Sequence, residues 1–129
     1  VKNRLAELHP EITEWRRDIH QHPEILFDTQ RTSALVAEKL RSFGVDEVVT
    51  GIGRTGVVAV IKGKTTASGK TIGLRADMDA LPIEEQTGLE YASKTPGAMH
   101  ACGHDGHTAM LLGRPSTFPR REILTALLW

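Results

Sequence analysis

At 129 residues with 40% hydrophobic side chains, the chain is long enough for one domain with an apolar core and too short for two. Its 16 basic and 16 acidic side chains cancel, which leaves no footprint for nucleic acid or a membrane surface, and no apolar run approaches a membrane span or resembles a leader peptide. A soluble, cytoplasmic protein is expected on those grounds; the one cysteine cannot close an internal disulfide and constrains the redox compartment only weakly, although a thiolate ligand is safest where thiols are kept reduced.

In chain order, Leu5, Leu8, Ile12, Trp15 and Ile19 recur every three or four positions and predict an amphipathic helix ending near His22-Pro23. A second helix carries Leu35, Val36, Leu40 and Phe43, with Asp28 or Thr29 as its cap and Gly44 as its stop. Val45 to Thr50 reads as a short edge strand. Gly56 to Ile61, β-branched and apolar, reads as a strand buried on both faces, and Lys62 to Lys70 as a solvent turn. Thr71 to Asp77 is a third strand, whose carboxyl end is where ligands collect in α/β sheets. Asp105 can cap a last helix through His107, Met110 and Leu111. This order predicts an α/β domain with a mixed sheet flanked by helices.

The chemistry concentrates in Met99-His100-Ala101-Cys102-Gly103-His104-Asp105-Gly106-His107-Thr108, which holds the only cysteine and three of the six histidines. Thiolate and imidazole suit zinc and its neighbours, and a Cys-x-His step outside a helix sends both side chains to one side. A closed structural zinc site is disfavoured because no second Cys/His cluster follows. A nucleophilic Cys-His pair is disfavoured because its members come from distant positions. An open metal site with ligands supplied elsewhere fits best. Asp77 and Asp79 stand two apart at the third strand's end; they are either solvated turn residues or carboxylates that orient a metal-binding histidine or bridge ions. Glu84 and Glu85 read as a solvated face. His9, His20 and His22 are left outside the site, the last two serving the first helix's end.

These residues resemble the metal-dependent amidohydrolases that include hippurate hydrolase, N-acyl-amino-acid aminoacylases and plant auxin-conjugate hydrolases, relatives of the di-zinc carboxypeptidases. The likeness runs from Leu5 to Gly113 through WRRDIHQHPE and FDTQRTS, GRTGVVAVIKG, IGLRADMDALPIEEQTG and MHACGHDGHTAMLLG. It implies the amino-terminal part of a di-zinc aminopeptidase/carboxypeptidase-like catalytic domain that hydrolyses the amide of N-acyl or N-aroyl amino acids through a metal-activated water. Two divalent ions per complete site are implied, zinc first, with manganese, cobalt and nickel also compatible. Matched residue by residue, Cys102 and His104 are metal ligands and Asp79 supports the metal centre in catalysis. Asp77 stands where the wider carboxypeptidase relatives carry a histidine ligand. The implied partner is a small N-acyl amino acid substrate. Complete relatives are often homodimers through a lid domain that the resemblance does not cover here.

After Gly113 the sequence departs from that pattern. Pro115 and Pro119 should break the helix where it ought to continue, and the family's general base and later ligands do not follow. Back-translated with suitable codons and read one base out of register, residues 114–129 give AAKYFPETRDFDGTAV, similar to the family's helix and next strand. Residues 1–113 are therefore expected to be the catalytic-domain part and 114–129 an aberrant tail produced by one deleted base. Such a tail should cost the fold a packing helix and leave an unpaired sheet edge. No amidase activity is expected of this chain alone. The alternative is a non-catalytic metal-binding fragment or the product of a decayed gene.

Overall fold

The computed structural model describes residues 2–63, 69–117 and 124–128; most of the expected Lys62–Lys70 turn and Pro119 lie outside them. Helix α1 spans Lys2–Gln21 and α2 spans Gln30–Ser42; strands β1, Glu47–Ile52, and β2, Gly56–Ile61, follow. Then come β3, Gly73–Ala76, helix α3, His104–Thr117, and β4, Leu124–Leu128. The sheet order is β1-β2-β4-β3, with β1 at an edge, β2 antiparallel to both β1 and β4, and β3 parallel to β4. The expected α/β fold with a mixed sheet is present.

Helix α1 forms where the apolar stripe predicts it, and Trp15 and Ile19 are buried. The capping of α2 differs from expectation. Thr29 occupies the cap position, but its hydroxyl bonds the Thr55 hydroxyl at 2.7 Å rather than the helix. Glu24 takes over: its two carboxylate oxygens accept the Arg31 and Thr32 amides, each at 2.8 Å, placing negative charge at the positive end of the helix dipole. Gly44 ends the helix at φ 70°, a conformation that costs glycine little, as the sequence suggested.

The tail behaves otherwise than expected. Helix α3 is not broken at Pro115; it runs on to Thr117, so the proline forfeits one amide bond in a turn that is about to end. Leu124–Leu128 is not left outside the fold but fills the slot between β2 and β3. The core lies between the helices and the sheet, where Trp15, Val36, Leu40, Val57, Ala59, Ala76, Met78, Ala109 and Leu112 pack together. Helices α1 and α3 approach so closely at Gly113 that a Cβ there would sit 2.6 Å from Ile12 Cδ1. No helix among the described residues is long and apolar enough to cross a membrane.

Candidate metal centre

Strand β3 stops at Ala76, and the next residues leave the sheet alternately buried and half-buried: Met78 goes into the core while Asp77 and Asp79 turn toward α3. Thr108 of α3 donates its hydroxyl to the Asp77 carbonyl at 2.8 Å, tying the helix to the strand end. His104 opens α3, preceded by Gly103 at φ 77°, whose carbonyl accepts the His107 amide.

The side chains of Asp77, His104 and His107 each offer a ligand atom, and these atoms lie within 4.8 Å of one another. His104 Nδ1 lies 2.9 Å from the Asp79 carbonyl and 3.0 Å from its carboxylate; both are acceptors, so Nδ1 carries the proton and donates. That leaves Nε2 with its lone pair free, 3.7 Å from Asp77 Oδ2. Asp77 also pairs with Arg75 through Oδ1. A carboxylate and two imidazoles, one held in the ligating tautomer by an outer carboxylate, is a donor set that suits zinc or a similar divalent ion. A tetrahedral shell with metal bonds of about 2.0–2.2 Å has ligand atoms about 3.4 Å apart, so the 3.7 Å between His104 Nε2 and Asp77 Oδ2 is already close to that spacing.

Of the residues expected from sequence, His104 stands in this group and Asp79 stands behind it, orienting the imidazole. Cys102 is a free, exposed thiol outside the three-residue group. His107 was not among the expected ligands. Its signal was the three-residue step from His104, which puts both imidazoles on one face of the first helical turn; the rings are 5.5 Å apart.

A second cluster lies buried behind the centre. Asp105 does not cap α3; it is fully buried in the first turn, and its Oδ2 accepts from Arg16 Nε and from His20 Nδ1, each at 2.7 Å. His20 does not serve the end of α1. Its Nε2 lies 3.2 Å from Glu85, whose side chain is only 3% exposed rather than part of a solvated face. His22 does serve that end, with Nδ1 2.8 Å from the Asp18 carbonyl. Burial pushes the Glu85 pKa upward, but hydrogen bonds from Thr87, the Ser93 amide and His20 outweigh it, and the carboxyl titrates below its ordinary value. His100 is buried with neither ring nitrogen partnered. Desolvation lowers its pKa to about 4, the Asp105 charge opposing that shift and His20 and His104 adding to it.

The sequence profile of Peptidase family M20/M25/M40 matches residues 73–119, the stretch that carries β3, both aspartates and the whole metal loop. The chain is 47% identical over 118 residues to an N-acyl-L-amino acid amidohydrolase of Geobacillus stearothermophilus, covering 92% of this chain and 31% of that protein. To the hippurate hydrolase of Campylobacter jejuni it is 54% identical over 108 residues, 84% of this chain and 27% of that one. Among solved structures, YxeP of Bacillus subtilis, described as a dinuclear metal binding peptidase from the M20 family, superposes with a TM-score of 0.80 at 38% identity, over 95% of this chain and 35% of that one. The chain thus spans about a third or less of the length of these relatives. The strand end, the histidine pair and the orienting aspartate all fall inside the stretch that matches Peptidase family M20/M25/M40, and the chain is similar to about a third of the length of that family's dinuclear metal binding peptidase and of the amidohydrolases named above.

Proposed function

We propose that this chain carries part of the metal-binding face of an amidohydrolase acting on N-acyl or N-aroyl amino acids. The observation that carries the reading is the Asp77, His104 and His107 group, with Asp79 fixing the His104 tautomer. His104 Nε2, His107 and Asp77 would hold a divalent ion, and the Cys102 thiolate, from the matched motif, would join them. Zinc is the ion proposed, and a reducing, cytoplasmic setting would preserve the thiol. Such an ion supplies Lewis acidity toward an amide carbonyl and lowers the pKa of water toward neutrality.

The residues around the group suit that substrate class. An open cleft of about 530 Å³ adjoins Asp77 and His107. Leu74, Met110 and Leu111 give it an apolar wall for an acyl or aroyl body, and Arg75, paired with Asp77, adds positive charge at its rim. The named activities of the relatives belong to chains about three times longer. We infer that this chain alone binds the ion without turning over hippurate, and that residues 1–113 are the family's part while 114–129 derive from a shifted reading frame. The nucleotide sequence across Gly113 tests the frame.

Cobalt(II) titration tests the centre. Visible ligand-field bands at one equivalent are expected, weakened by His104→Ala and His107→Ala, with a sulfur charge-transfer band lost in Cys102→Ser. If the visible bands survive both histidine substitutions unchanged, the assignment of this centre is wrong. Hydrolysis of hippurate or an N-acetyl amino acid by the purified chain would overturn the inference that it binds without turnover.

A further inference from the structure

We infer that His20 is a positioning residue for the metal centre, acting through Asp105 on the first turn of α3. The inference rests on the reading of Asp77, His104 and His107 as that centre.

His104 and His107 share one helical turn, so whatever fixes the rotation and depth of that turn fixes both imidazoles at once. From the sheet side the turn is held by the Thr108 hydroxyl on the Asp77 carbonyl and by Asp79 on His104. From the opposite side it is held by Asp105 alone among its acidic residues. That carboxylate has no exposed surface, and Oδ2 receives both Arg16 and His20 from the last turns of α1 while Oδ1 has no hydrogen-bond partner.

A fully buried carboxylate with one oxygen unsatisfied is an expensive way to pack two helices, and an apolar residue would do it at lower cost. What the charge adds is direction. Two donors converging on one oxygen fix where Asp105 stands along and around the helix axis, which apolar packing does loosely. His20 is itself fixed, with Glu85 on its other nitrogen and Glu85 in turn receiving the Ser93 amide at 2.6 Å. One imidazole thereby joins α1, the segment after β3 and the helix that carries the candidate ligands, although it is 84 residues from His104 and touches none of them.

The test separates the two ring nitrogens. Asparagine at position 20 can place an amide donor where Nδ1 stood and keep the Asp105 bond; glutamine places one where Nε2 stood and keeps only the Glu85 contact. His20→Asn should bind cobalt(II) within about threefold of the unsubstituted chain, whereas His20→Gln should bind about tenfold more weakly or worse and show altered ligand-field bands. Metal-free thermal unfolding of the two variants should be alike, so that affinity and stability part company. Equal affinities in the two variants, or affinity losses that follow stability, would overturn the inference. If neither His20 variant folds, Arg16→Ala decides, because Arg16 is partly exposed. Weaker cobalt binding at an unchanged metal-free melting temperature supports the role, and unchanged binding refutes it. An unsubstituted chain that binds no cobalt refutes the metal-centre reading, and this inference with it; one that binds, with His20→Gln equal to His20→Asn, refutes the inference alone.

Discussion

Asp79 holds His104 by two acceptors, one of which no substitution can remove. In Asp79→Ala the carboxylate bond at 3.0 Å is lost while the backbone carbonyl at 2.9 Å stays, so the ligating tautomer survives but the ring is freer to rotate. Divalent-ion affinity should therefore fall by about tenfold, the low end of what loss of an outer partner costs. Calorimetric titration with zinc measures it, and an unchanged affinity would mean that the carboxylate does not orient the ring. This pairing was legible in the sequence, because two aspartates at the end of an apolar strand and a histidine in a metal-type loop are all short-range signals. The buried group of Arg16, His20, Glu85 and Asp105 was not. His20 lies 65 residues from Glu85 and 85 from Asp105, and a histidine on a helix or a glutamate after a proline carries no local sign that its partner comes from elsewhere in the chain.

His100 makes a second statement at this scale. With a pKa of about 4 in the folded chain against about 6.5 when unfolded, the unfolded state binds more protons between those values. Stability from this group is complete above pH 6.5 and is lost as pH falls toward 4, by about 3 kcal/mol in all at 1.36 kcal/mol per unit. Chemical denaturation in the presence of a chelator should show that slope, and His100→Asn should flatten it over the same window whatever its plateau. A wild-type curve level from pH 6.5 to 4 would mean that the imidazole is not desolvated.

Among the elements, α1 and α3 meet at Ile12 and Gly113, and the absence of a side chain at 113 sets how near they come. In Gly113→Ala the new methyl meets the end of a flexible side chain, so the helix-propensity gain of about 1 kcal/mol is set against crowding of about 1–3 kcal/mol. A net loss of about 1 kcal/mol is expected. Ile12→Val removes the Cδ1 atom that would be struck, so Gly113→Ala should cost less in that background, a favourable coupling readable in a double-mutant cycle. Additive effects would place the helices farther apart. The sequence showed both helices through their periodic apolar residues, and also the glycine stop at Gly44. It could not show Glu24 capping α2, because the cap reaches back from six residues before the first turn rather than sitting at the expected Thr29.

For the molecule as a whole, the decisive segment is the one that sequence reasoning set aside. Leu-Thr-Ala-Leu-Leu has too little alternation to be told from a buried helical turn, and it follows two prolines, so nothing local marks it as a strand. Yet Ala126 is paired with Ala59 of β2 on one side and with Leu74 of β3 on the other, and β4 is the only strand that joins β3 to the rest of the sheet among the described residues. Proline at 126 removes a ladder amide and introduces a ring whichever neighbour that amide faced, a change tolerated at edges and not in central strands. Ala126→Pro should abolish the cooperative unfolding transition, or, where a residual fold survives, weaken cobalt binding, since Asp77 follows directly on β3. Ala126→Val, which keeps the amide and suits a strand, should do neither. An Ala126→Pro chain that melts and binds like the parent would show that residues 2–117 fold without β4.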